Sequence, residues 1–220
     1  MSKNILMVWG GWEGHTPQAA TELHANALRE AGHTVDVYDN LDIYLDEDRM
    51  AAADVIVQSV TMADITGKQA AALMKAVREG KGFAGWHGGV IDSFRSNTDY
   101  QWMTGAQWVS HPGGCIPSYT VEITDPDHET TRGLSGFALP DTEQYYCHVD
   151  PGNTVLATST FTGEHGETDC YPAGTVMPYA WTRQWGKGRV FIVAWGHTDA
   201  DFKVPEAMEI MQRGIVWAAG

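Results

Sequence analysis

The sequence predicts an α/β fold with a mainly parallel central sheet. Two observations carry this. The first 90 residues alternate short apolar runs with helical stripes in the order β-α-β-β-α-β, and alternation of this kind places helices over parallel strands. In addition, the runs Ile5–Trp9 and Gly82–Ala84 are continuously apolar and stop at glycines, as strands buried on both faces do.

The elements follow in order. Ile5-Leu6-Met7-Val8-Trp9 is the first strand, closed by Gly10-Gly11. Pro17 marks a helix start, with Ala20, Leu23, Ala27 and Leu28 as its apolar stripe and Gly32 near its end. Thr34–Tyr38 and Asp54–Gln58 read as the second and third strands, separated by an acidic surface loop at Asp46-Glu47-Asp48. The Ala-rich segment Lys68–Arg78, with Leu73, Met74 and Val77 on one stripe, predicts a helix ending at Gly80.

The second half reads differently. Short strand-like runs at Ser118–Ile123 and Gln144–Val149 lie between turn signals at Pro112-Gly113-Gly114, Asp125-Pro126-Asp127 and Asp150-Pro151-Gly152. A hairpin joins Tyr179–Thr182 to Arg189–Trp195 through a turn at Trp185–Gly188. A helix from Pro205 to Ala218, with Trp217 in its core face, closes a single domain over residues 1–220, since no linker, repeat or low-complexity tract divides the chain. A chain of this length buries roughly 70% of the surface that its unfolded form exposes.

Composition narrows the function. A formal charge of −14 argues against nucleic-acid and anionic-membrane partners, which need clustered Lys and Arg. No segment approaches the ~20 apolar residues of a membrane span. The opening Met1–Asn4 runs straight into a strand, so no signal peptide is expected. The 3 cysteines, Cys115, Cys147 and Cys170, form no Cys-x-x-Cys pair and suit a reducing compartment, so a cytoplasmic location is expected. Nine tryptophans invite a carbohydrate reading, because indole faces stack on sugar rings, although most are expected to serve packing.

Chemistry concentrates at Gly85-Trp86-His87-Gly88-Gly89. A strand followed by Gly-x-His-x-Gly matches the elbow that presents a nucleophile in several α/β enzymes, with histidine at its tip. His15 and His197 follow strand ends too, each within a glycine- and tryptophan-containing turn. Ligands of open α/β sheets bind at the carboxyl ends of strands, so three such histidines predict one shared pocket. His111, fixed by Pro112, is a further candidate, and His148 a weaker one. Regular alternation puts Glu143 and Tyr145 on one strand face and His148 on the other. His24, His33, His128 and His165 read as surface or turn residues.

These groups point to two chemistries. Imidazoles with a carboxylate hold a divalent ion such as zinc, with His87, His111 and His197 as the candidate ligands. The same set without a metal serves as general acid and base, with His87, His197 and Glu143 as candidate catalytic residues. Trp12, His15, Trp86, Tyr145 and Trp195 are the candidate substrate-binding residues, the tryptophans as a stacking wall. No nucleotide cofactor is expected, and association of identical chains remains open.

These motifs together resemble the ThuA-like (trehalose-utilisation) family. The resemblance rests on Ile5–Gly11 with His15, the Gly85–Gly89 elbow, His111-Pro112, Glu143-Gln144-Tyr145, Met177–Trp181, Gly186–Phe191 and Gly196-His197. Thr142 stands where the family often has Asp directly before Glu, and Glu129 where it often has proline after His. The resemblance implies a flavodoxin-like three-layer sandwich of the class I glutamine-amidotransferase type, with His87 in place of the catalytic cysteine and His197 near the amidotransferase histidine. It further implies sugar catabolism, with 3-keto glycosides or disaccharides as the expected substrates, by elimination, hydrolysis or isomerisation. The alternatives are a non-catalytic sugar- or metal-binding protein on the same fold, and an amidotransferase or cysteine peptidase. The elbow speaks against the latter pair, since it carries no thiol.

Overall fold

The computed structural model describes residues 1–166 and 173–220. Cys170 lies outside the described residues. The parallel half of the sheet assembles as the alternation predicts. Strand β1 (Asn4–Gly11) leads to helix α1 (Pro17–Glu30), with Pro17 in its first turn, and to β2 (Thr34–Tyr38). The acidic stretch read as a loop is instead the start of α2 (Glu47–Ala52). The Asp46 carboxylate accepts the Arg49 amide hydrogen at 3.0 Å and caps it, and the stretch itself stays exposed. Then come β3 (Val55–Thr61) and α3 (Gly67–Glu79), the latter opened by a Thr66–Gln69 capping box. Strand β4 (Gly82–Trp86) is buried along its whole length and runs into the short turn α4 (Gly88–Ile91) and then α5 (Thr98–Thr104).

The rest of the chain is largely antiparallel. It forms β5 (Ala106–Ser110), β6 (Cys115–Ile123), β7 (Phe137–Glu143), β8 (Tyr146–Val149), β9 (Thr154–Thr160), β10 (Val176–Trp185) and β11 (Gly188–Val193), followed by α6 (Pro205–Ala218). Among the described residues the main sheet has nine strands in the order β2-β1-β3-β4-β11-β10-β9-β6-β7, with β5 and β8 as a separate ribbon. Strands β2, β1, β3, β4 and β11 pair in parallel, and β10, β9, β6 and β7 extend them antiparallel. Helices α1 and α6 cover the sheet together, tied where the Gln212 amide donates to His24 Nδ1 at 2.8 Å. The fold is thus an α/β three-layer arrangement around a mostly parallel central sheet. No described helix is long and apolar enough to cross a membrane.

The structure corrects three further expectations. The buried face of α1 is Ala20, Thr21, His24, Ala25 and Leu28, whereas Leu23 is 37% exposed, so the stripe is rotated from the apolar residues alone. His24 is therefore a core residue: its ring lies 4.3 Å from Phe202 and 4.8 Å from Trp86, and burial lowers its pKa to about 3. The run Gln144–Val149 is not one strand. Strand β7 ends at Glu143, β8 starts at Tyr146 and joins β5, and exposed His148 sits opposite Gln107. Trp217 is half-buried, with the Arg189 guanidinium 5.3 Å from its ring, because α6 turns that edge outward.

Candidate functional site

Three loops at the carboxyl end of the parallel strands carry the imidazoles. His15 ends a short 3-10 turn after β1, anchored where the Trp12 amide donates to the Thr61 carbonyl at 3.0 Å. Its Nδ1 lies 2.9 Å from Thr61 Oγ1, at the end of the neighbouring strand. His87 is the elbow tip. Its φ of 45° and ψ of −142° are sterically unfavourable for a side-chain-bearing residue, and the surrounding turn holds it there. A Cβ on Gly88 would collide with His15 Cε1, so only glycine lets His15 press against the elbow. Beneath the turn, buried Gln58 donates to the Gly89 carbonyl at 3.0 Å and to Tyr100 Oη at 2.7 Å.

His197 follows β11. The amides of Gly196 and His197 donate to Asp201 Oδ2 at 2.9 and 3.0 Å, and Thr142 Oγ1 donates to the same oxygen at 2.9 Å. Asp201 is buried. Burial raises its pKa and these donors oppose the rise. This carboxylate joins the His197 loop to the residue beside Glu143, so a parallel strand end and an antiparallel one are held in register.

Glu143 Oε2 is the hub. It lies 3.2 Å from His87 Nε2, 3.2 Å from His197 Nδ1 and 3.8 Å from His15 Nε2, and Oε1 lies 3.6 Å from His111 Nε2. Burial would raise its pKa, but the contacts with His15, His197 and His87 outweigh that and hold the carboxyl far below its usual range. Glu143 is therefore an anion. His87 is fully buried, and desolvation lowers its pKa to about 3 despite Glu143, so its ring is neutral.

The tautomer of His87 follows from its other nitrogen. Nδ1 lies 2.8 Å from the Ala194 carbonyl, which only accepts, so Nδ1 carries the hydrogen. The bare Nε2 lone pair then faces the Glu143 carboxylate. Two acceptors meet at 3.2 Å, an arrangement that a cation between them relieves. His197 Nδ1 is also buried, and despite its 3.2 Å approach to Oε2 it has no hydrogen bond of adequate geometry. One ligand atom from each of His15, His87, His197 and Glu143 lies within 4.8 Å of all the others. This group can hold a metal ion, and three imidazoles with a carboxylate form a donor set that suits zinc. Each imidazole is also steadied through its second nitrogen, by Thr61 Oγ1, by the Ala194 carbonyl and by Cys115 Sγ, as metal-binding histidines are.

The structure gathers most of the expected residues and redistributes their places. His15, expected to touch substrate, is one of the four residues that could hold a metal ion. His111, expected as a ligand, stands outside that group on the far oxygen of Glu143. Tyr145 stacks on His87 at 3.6 Å between ring centroids and is buried. Trp86 and Trp195 do not form a stacking wall. They are 1% and 0% exposed, with Trp86 against His24 and Phe202 and Trp195 against Phe137, so neither offers a ring face to a ligand. Trp12, 47% exposed and edge-on to His15 at 4.8 Å, is the tryptophan at the mouth. Thr61, Cys115 and Asp201 escape sequence reasoning because only strand pairing and loop closure bring them here.

This fold and this histidine–carboxylate centre define an α/β protein with a metal-capable group of side chains at its strand ends. The chain belongs to the ThuA family, whose family model, described as trehalose utilisation, matches residues 4–218. Among solved structures it is similar to a ThuA-like protein of Parabacteroides merdae, with a TM-score of 0.82 and 15% identity over 100% of this chain and 90% of the other. It is also similar to a ThuA-like protein of Bacteroides uniformis, with a TM-score of 0.78 and 15% identity over 98% and 91% of the two chains. A β-galactosidase of Bacillus circulans matches 99% of this chain over 30% of its own, with a TM-score of 0.64 and 14% identity. At these identities the likeness is one of fold. No curated protein matches the sequence.

Proposed function

We propose that this protein is a carbohydrate-catabolic enzyme whose His15, His87, His197 and Glu143 hold a divalent ion, zinc fitting best. Its proposed substrate is an oxidised sugar, a 3-keto glycoside or disaccharide. The observation that carries the reading is the bare Nε2 of a neutral, fully buried His87 aimed at an ionised Glu143. The family's link to trehalose utilisation supports the sugar class.

Such an ion supplies Lewis-acid polarisation of a carbonyl oxygen. A ketone acidifies the adjacent C–H, and His111 is the imidazole outside the ligand group that can take that proton at Nε2. Its side chain is 36% exposed, and its Nε2 lies 3.6 Å from Glu143 Oε1. The same imidazole returns the proton in an elimination, a hydration or an isomerisation. Tyr145 holds the His87 ring from one side, and Trp12 offers its exposed face to the sugar.

Elemental analysis and assay on 3-keto-disaccharides test this together. About one divalent ion per chain is expected, with activity lost on chelation and regained with zinc. His87→Ala lowers turnover by roughly 100- to 10,000-fold with an unchanged circular-dichroism spectrum. Full activity in metal-free protein overturns the metal assignment, and tight sugar binding without turnover across the panel leaves a binding protein.

A further inference from the structure

The β6–β7 ladder places Cys115 directly opposite Glu143, so both side chains leave the same sheet face. From there Cys115 Sγ reaches to 3.6 Å from His197 Nε2, while His197 Nδ1 faces Glu143. Cys115 is exposed, and its sulfur lies within hydrogen-bonding distance of this imidazole.

We infer that Cys115 is a positioning residue for His197: its sulfur accepts the Nε2 hydrogen and thereby leaves the Nδ1 lone pair directed at the centre. His15 and His87 have the corresponding anchors in Thr61 and Ala194, so the thiol completes a set of three. Sulfur is a weak acceptor, but an imidazole needs only a modest bias to select one tautomer. The metal arm of the test rests on the centre proposed above, and the tautomer arm does not.

Long-range proton–nitrogen NMR on histidine-labelled, metal-free protein reads the tautomer of His197. The wild type is expected to show a protonated Nε2 and a bare Nδ1, Cys115→Ser to keep that pattern, and Cys115→Ala to mix the two forms. A protonated Nδ1 in the wild type, or an unchanged pattern in Cys115→Ala, overturns the inference. Cobalt(II) titration gives the second readout. Cys115→Ala is expected to bind roughly 10- to 100-fold more weakly, with Cys115→Ser close to the wild type. Equal affinity in Cys115→Ala, or a sulfur-to-cobalt charge-transfer band in the wild type, also overturns it, the latter because the sulfur would then be a ligand. If the wild type binds no cobalt, the metal centre fails and the NMR result alone decides the role of Cys115.

Discussion

The two halves of the sheet contribute to the site in different ways. The parallel half, β2-β1-β3-β4-β11, supplies three imidazoles from loops that each follow a strand end. Chain direction alone brings such loops to one rim. The antiparallel extension supplies Glu143 and Cys115 from paired strands, where position depends on register. A one-residue slip of β7 against β6 would move Glu143 to the other face, whereas no comparable slip could move all three histidines together. The nitrogen donors are thus set by topology, and the anion that organises them by one ladder.

The largest test of this division removes the anion from the antiparallel side. Glu143→Gln should reduce turnover by roughly 100-fold or more and weaken binding of the proposed ion, as is expected of His87→Ala from the parallel side. If Glu143→Gln keeps both metal and rate, the two halves do not build one centre. The next test cuts the tie between them. Asp201→Ala leaves the Gly196 and His197 amides and Thr142 Oγ1 without their acceptor, and should cost about 1–3 kcal/mol in urea unfolding. Activity should fall further than stability, because His197 and Glu143 lose registration, and an unaltered midpoint would show that the tie carries no energy.

A third test concerns His24, the histidine that α1 buries outside the centre. The pKa of His24 is about 3 in the folded chain, against the ordinary histidine value of 6.5 that it takes on unfolding. The unfolded state therefore binds more protons between those values, so stability is full above the unfolded pKa and falls as pH drops toward the folded one. His24→Phe should remove one proton from that dependence, flattening the unfolding free energy by about 1.4 kcal/mol per pH unit across the window. An identical pH profile in the variant would place the acid sensitivity elsewhere. The smallest effect belongs to the rim. Trp12→Ala should raise KM several-fold while changing stability by less than about 0.5 kcal/mol, since the ring is 47% exposed. An unchanged KM would remove Trp12 from the sugar site.

Particular residues show how far the sequence was legible. The β-α-β alternation, the glycine-flanked elbow and the positions of His15, His87 and His197 after strand ends are local patterns, and local patterns survive folding. His24 misled because the stripe of Ala20, Leu23, Ala27 and Leu28 is apolar, yet the helix turns so that Leu23 faces outward and the imidazole inward. Tryptophan counts suggested a stacking wall, but Trp86 and Trp195 lie within the strand-end core and only Trp12 reaches the mouth. The break after Glu143, which sends Tyr146–Val149 to pair with β5, has no local signal strong enough to divide an aromatic run.

By itself the chain's order of residues determined the α/β class, the rim at which ligands meet the sheet and the three imidazoles that stand there, because periodicity and turn chemistry act over a few neighbours. Tertiary structure decided which carboxylate they surround, which nitrogen of His87 is bare, and that Cys115, Thr61 and Asp201 serve the centre. Those outcomes depend on contacts between segments far apart in the chain, such as His87 with Ala194, 107 residues away. The energies that select them exist only once the sheet has closed.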